Sequence, residues 1–139
     1  LPGQRRVHTA KESARRRRLL LDVVSAIDAE SVEFTLRRPP GLHPIEARQV
    51  LLDAASRRVI ERGVVMWQLD QQEAHQAVRD RNVIETRIRA ANRPIVYDHV
   101  SSPGEPFLWA IDAVLWAVGS GGDWPRRIEH RLTNVPLRP

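Results

Sequence analysis

A chain of 139 residues, 42% hydrophobic and 28% charged, has room for one sizeable core and the make-up of a soluble globular domain. No stretch approaches the ~20 consecutive apolar residues of a membrane-spanning helix, and the absence of cysteine excludes disulfides, thiolate metal sites and cysteine nucleophiles, which suits a reducing, cytoplasmic setting. The net charge is +5, and of 22 basic residues only Lys11 is lysine. Such a surface favours polyanions, because a planar guanidinium matches phosphate oxygens bidentately and keeps its charge at any working pH.

In chain order, QRRVH at residues 4–8 reads as a short strand. Residues 10–30 then show Leu19, Leu20, Val23, Val24 and Ile27 at helical spacing, with the four arginines at 15–18 forming a solvated helix face. SVEFTLRR alternates Val32, Phe34 and Leu36 against Glu33 and Thr35, a strand pattern that Pro39, Pro40 and Gly41 end. A second helix is expected from about His43 to Arg62, closed by Gly63. VVMWQL, at 64–69, is a continuous apolar run that predicts a strand covered on both faces.

A polar third helix follows over about 73–91, with Ala77, Val78, Ile84 and Ile88 as a narrow apolar seam. PIVYDHV, at 94–100, predicts another strand, residues 105–118 the most apolar helix, and the segment after GSGGDW a last short helix ending near Leu132. TNVPLRP reads as a frayed tail. Alternating strands and helices predict a single α/β domain whose sheet is at least partly parallel and carries helices on its faces.

Asp112 stands alone among Trp109, Ile111, Ala113, Val114, Leu115 and Trp116. Burying an unpaired carboxylate there is costly, so a basic partner, a metal ion or water at a cleft is required. Helical spacing puts it on one stripe with Glu105, Trp109 and Trp116. Asp70 closes one expected strand and Asp98 and His99 close another, at the strand ends where α/β sheets gather ligands.

Carboxylates collected there suit a hard divalent cation such as Mg²⁺ or Mn²⁺, and two such ions would support phosphodiester hydrolysis. Singly, Asp70 and Asp98 read equally as turn caps, and Glu105, before Pro106, as a helix N-terminal group. His8, Lys11 and Glu12 follow the first expected strand. The chain lacks a phosphate-binding GxxxxGK[ST] loop, a GxGxxG turn, a G-x-S-x-G elbow and zinc-spaced histidines. With RNA or DNA as partner, Arg5, Arg6, Lys11, Arg126 and Arg127 are the candidate phosphate contacts.

The segment HVSSPGEPFLWAIDAVLWAVGSGGDWPRRI, together with LPGQRRVHTAKESARRRRLLLD, resembles the domain of unknown function 3800 family of bacterial and phage proteins, especially its actinobacterial members. In that family a histidine-bearing strand leads to a Glu-Pro helix carrying an aspartate, then a glycine-rich turn. The resemblance implies a ribonuclease-H-like fold and a metal-dependent nuclease. Asp112 would be its C-terminal acid, Asp70 and Asp98 further ligands for Mg²⁺ or Mn²⁺, Glu105 a supporting carboxylate, and His99 a proton carrier or phosphate contact.

Asp80 and Arg81 match a polar, charged stretch of the family. Family members open with an acidic strand that supplies the first metal ligand. The resemblance therefore leads us to expect that these residues are the C-terminal portion of a longer domain, or that the acidic strand has been lost. In the latter case the same fold would serve as a non-catalytic, arginine-rich module binding nucleic acid or a ribonucleoprotein.

Overall fold

The computed structural model describes residues 8–101 and 105–139, and they form a mixed α/β structure with four helices and four short strands in two small sheets. The chain groups into two compact units: one comprises the residues up to Glu33 with Ser101–Asn134, the other Phe34–Val100 with Val135–Pro139. Among the described residues no helix is long and apolar enough to cross a membrane.

The first unit is built on helices α1 (Ala14–Ala26) and α4 (Pro106–Ser120). Helix α1 is shorter than the apolar periodicity suggests. Ser13 caps its start, its Oγ accepting the Arg16 amide at 3.4 Å, and Ile27 turns to extended backbone at its end. Residues Thr9–Lys11 form a separate 3-10 turn instead of joining the helix. The expected strand at 4–8 lies, apart from His8, outside the described residues.

Leu21 of α1 packs into a core with Ala113, Val114 and Ala117 of α4 and with Ile128. The two alanines, one turn apart on α4, leave room for the larger side chains to pack closely. Trp116 and Trp124 meet edge to face with their rings 5.0 Å apart. Gly121 and Gly122, both at positive φ, turn the chain sharply out of α4. The single short helix expected next is instead two 3-10 turns, Pro125–Arg127 and Glu129–Arg131, because Ile128, packed into the core between them, leaves the helical backbone.

The tail also departs from expectation. Leu132–Leu137 is a strand, β4, paired with β1 (Ser31–Leu36). Pro136 disguises it, since proline lacks an amide donor; in a two-stranded sheet every strand is an edge, where proline is tolerated. Val135 and Leu137 are half-buried while Pro136 is exposed, which restores the alternation of a strand.

The second unit contains α2 (Pro44–Glu61), β2 (Met66–Asp70), α3 (Ala74–Ala91) and β3 (Val96–Val100). Helix α2 opens with a reciprocal cap: His43 Nδ1 accepts the Ile45 amide at 3.2 Å and Glu46 Oε2 accepts the His43 amide at 3.0 Å. Glu46→Ala is expected to cost about 1 kcal/mol, read by urea denaturation; an unchanged midpoint would show the cap to be dispensable.

Strands β2 and β3 are parallel, in register from Met66 opposite Val96 to Asp70 opposite Val100, with α3 as the crossover between them. Tyr97 donates to Glu85 of α3 at 3.0 Å, so the face bearing Trp67, Leu69, Tyr97 and His99 meets the helix. The opposite face carries Met66, Gln68, Asp70, Val96 and Asp98, all exposed. The expectation that VVMWQL is covered on both faces is thus corrected. Val65 is 74% and Met66 64% exposed, because this sheet has a helix layer on one face and Val64 and Val65 precede the strand itself.

Candidate functional site

At the carboxyl end of the parallel pair, alternation along each strand puts Asp70 and Asp98 on the same sheet face, away from α3. Asp98 lies opposite Gln68 and Asp70 opposite Val100, so the two carboxylates are diagonal neighbours, and both are exposed. The strand pair is extended past Asp70 by the Gln71 amide, which donates to the Val100 carbonyl at 2.9 Å.

His99 belongs to the other face. Among the described residues its buried Nε2 has no hydrogen-bond partner; it lies 3.9 Å from Oδ2 of Asp80. The structure therefore brings Asp70 and Asp98 together and separates His99 from them by the thickness of the sheet.

Asp80 is the chemical centre of the covered side. It is 2% exposed and accepts from Arg48 Nε at 3.0 Å, Arg48 Nη2 at 2.7 Å and Gln76 Nε2 at 2.7 Å. Burial pushes its carboxyl upward. The hydrogen bonds from Arg48 and Gln76 and the nearby charges of Arg48 and His99 outweigh that, leaving it below the ordinary carboxylate range.

A second arginine pairing ties the same helices: Asp53 of α2 accepts from Arg87 Nε and, at 3.0 Å, from Arg87 Nη2, while Arg57 reaches it at 3.1 Å. Here too burial raises the carboxyl and the arginines more than offset it. Neither arrangement follows from helix periodicity, although one signal for Asp80 exists: it lies three residues after Ala77 and four before Ile84, on the predicted apolar seam.

Asp112 lies in the first unit. Its Oδ2 accepts both the Thr9 amide and the Thr9 hydroxyl, each at 3.0 Å, and Thr9 is fully buried. These donors are partners of the kind that the sequence called for. Arg17 clamps the same turn from the other side, donating to the Thr9 carbonyl at 3.0 Å and the Ala10 carbonyl at 2.6 Å, with its guanidinium 4.5 Å over the Trp116 ring. Glu105 caps α4, its Oε1 accepting the Phe107 amide at 3.2 Å. His8 precedes the Thr9–Lys11 turn and is half-buried.

The remaining candidates are basic. Lys11 is exposed. Arg126 is exposed and pairs with Asp123 at 3.1 Å, and Arg127 pairs with Asp22 at 2.7 Å. Arg5 and Arg6 lie outside the described residues. The arginine run is more engaged than a solvated face: Arg16 pairs with Glu12 at 3.0 Å, and Arg18 lies 6.0 Å from the centre of the Trp124 ring.

Asp112 and Glu105 thus belong to one unit and Asp70, Asp98 and His99 to the other. Among the described residues no group of three or more histidine or acidic side chains is arranged to hold a metal ion. No protein-family model matches the chain, and neither a curated protein nor a solved structure matches it.

Proposed function

We propose that this chain belongs to a divalent-cation-dependent nuclease on a ribonuclease-H-like scaffold of the domain of unknown function 3800 type. Asp70 and Asp98 would be the residues that hold Mg²⁺ or Mn²⁺. The observation that carries this reading is the placing of two exposed carboxylates on one sheet face at the carboxyl end of parallel strands.

The donor set suits the ion: carboxylate oxygens are hard ligands, and two of them leave coordination positions for water and phosphate oxygens. The cation would supply an activated water and charge stabilisation at a phosphodiester. The protein's own part is to present both carboxylates from a rigid strand pair. Asp112 is not needed in this set, since its Oδ2 serves the Thr9 turn, and His99 faces α3.

The test is Mn²⁺ binding by calorimetry together with cleavage of RNA and DNA. Asp70→Asn and Asp98→Asn are each expected to lower Mn²⁺ affinity by about tenfold or more and to stop cleavage, with helical content unchanged because both residues are exposed. A chain that binds no Mn²⁺ would rule the reading out.

Exposed Lys11 and Arg126 support a second reading, a non-catalytic nucleic-acid-binding module. It predicts binding that falls steeply with salt, is indifferent to chelators and survives Asp70→Asn.

A further inference from the structure

Strands β1 and β4 run parallel. Arg131 donates to Asp28 just ahead of the strands, Thr133 to Glu30 and Asn134 to Glu33. The sequence separations of these contacts, 103, 103 and 101, stay nearly constant, whereas in an antiparallel pair they would shrink steadily along the strand. Each strand is followed at once by arginine: Arg37 and Arg38 come after Leu36, and Arg138 after Leu137. Parallel pairing therefore brings all three to one end, the carboxyl end at which α/β sheets gather ligands.

The hydrogen bond from Asn134 Nδ2 to Glu33 Oε2, at 2.8 Å, shows which side chains share a face. Continuing the alternation of each strand puts Thr35 and Arg37 on that face, beside Pro136 and Arg138. Arg37 and Arg138 are separated by the same 101 positions as Glu33 and Asn134, so they are lateral neighbours across the strand pair. Both are exposed and both belong to the second unit. Among the described residues neither is paired with an acid. On this face of β1 the acid is Glu33, about 13 Å back along the strand, and Asn134 already donates to it. Like charges side by side on a sheet repel each other. A phosphate between them removes that cost by offering an oxygen to each guanidinium.

We propose that Arg37 and Arg138 form a phosphate-binding pair for the backbone of a nucleic acid, with exposed Arg38 adding charge at the same end. On an open strand end a lone small anion gains no enclosure, while a phosphodiester chain brings successive charges along the surface. Such contacts position the strand without reading its bases. The site rests on nucleic acid as the partner, which both readings above share, and not on a metal ion at Asp70 and Asp98.

Fluorescence anisotropy of labelled single-stranded RNA and DNA oligonucleotides with the whole chain, in EDTA to prevent cation-dependent cleavage, tests the proposal. The expected result is binding that falls steeply with salt. Arg37→Ala and Arg138→Ala each weaken it about three- to tenfold and lower the salt slope by about one, while the circular dichroism spectrum and, measured separately, Mn²⁺ affinity stay as in the parent chain. Arg89→Ala removes an equal charge from an exposed arginine already paired with Glu85, and should leave binding within about twofold. A parent chain that binds neither oligonucleotide overturns the proposal together with the nucleic-acid partner. Binding that survives both changes, or that Arg89→Ala weakens equally, overturns the proposal alone. Inorganic phosphate that binds in calorimetry and is not displaced by the oligonucleotides would make the pair a small-anion site, which also overturns it.

Discussion

Asp80→Ala is expected to destabilise the second unit by about 1–3 kcal/mol, the cost of removing a buried carboxylate that accepts three hydrogen bonds while the partly exposed Arg48 can turn to water. The change releases the guanidinium of Arg48, which loses both of its hydrogen bonds to the carboxylate, and leaves Gln76 without its acceptor. It also opens space beside His99, whose Nε2 lies 3.9 Å from Oδ2 of Asp80. Urea denaturation followed by circular dichroism measures the loss, and a change below about 1 kcal/mol, the scale of an exposed ion pair, would refute the assignment. Pairing Asp80→Leu with Arg48→Met should recover most of the loss, because an apolar pair of similar size removes both charges at once.

The same residue sets the acid limit of stability. Its carboxyl titrates lower in the folded chain than its ordinary value of 3.8, so the stabilisation is fully present above that value and is lost as pH falls through the depressed folded value. Asp53, also lowered, works in the same direction. Stability of the second unit should therefore fall on acidification below about pH 4. In Asp80→Asn the fall should be shallower, and an identical acid limb in the variant would show that other groups govern it.

Asp112→Ala is expected to cost about 2–3 kcal/mol, since it leaves the buried amide and hydroxyl of Thr9 without an acceptor. Asp112→Asn should cost about 1 kcal/mol, because an amide oxygen can still accept from Thr9 but lacks the charge. Both should release the Thr9–Lys11 turn, seen as faster proteolytic cleavage ahead of α1, while Mn²⁺ affinity stays as in the parent chain. Loss of Mn²⁺ binding in Asp112→Asn, with the turn still protected, would instead make this residue a metal ligand, as the family resemblance implies.

Local patterns account for much of the architecture. The four long helices and the strands at Ser31–Leu36, Met66–Asp70 and Val96–Val100 lie where apolar spacing and breakers put them, because period and turn chemistry act over a few residues. That some of the strands pair in parallel was legible too, since strands alternating with helices permit crossovers, and β2 and β3 do so across α3. The position of Glu105 at a helix start follows in the same way from the Pro106 beside it.

What depended on the tertiary structure is of longer range. Pro136 hid β4, which becomes a strand only because β1 lies beside it. VVMWQL has the composition of a buried strand, yet only one face is covered, since coverage depends on how many layers assemble and not on the strand's own residues. Asp70 and Asp98 could be named from their strand ends, but that they share a face, and that His99 does not, depends on the register of two strands.

Composition and spacing alone determined that this is an arginine-rich α/β chain with an isolated acid in its most apolar helix. They could not select that acid's partner, because Thr9 is 103 residues away, nor show that Asp80 would be buried against Arg48, 32 residues earlier. A carboxylate's partner is whichever donor the folded chain brings within hydrogen-bonding distance, and only packing between distant segments decides that.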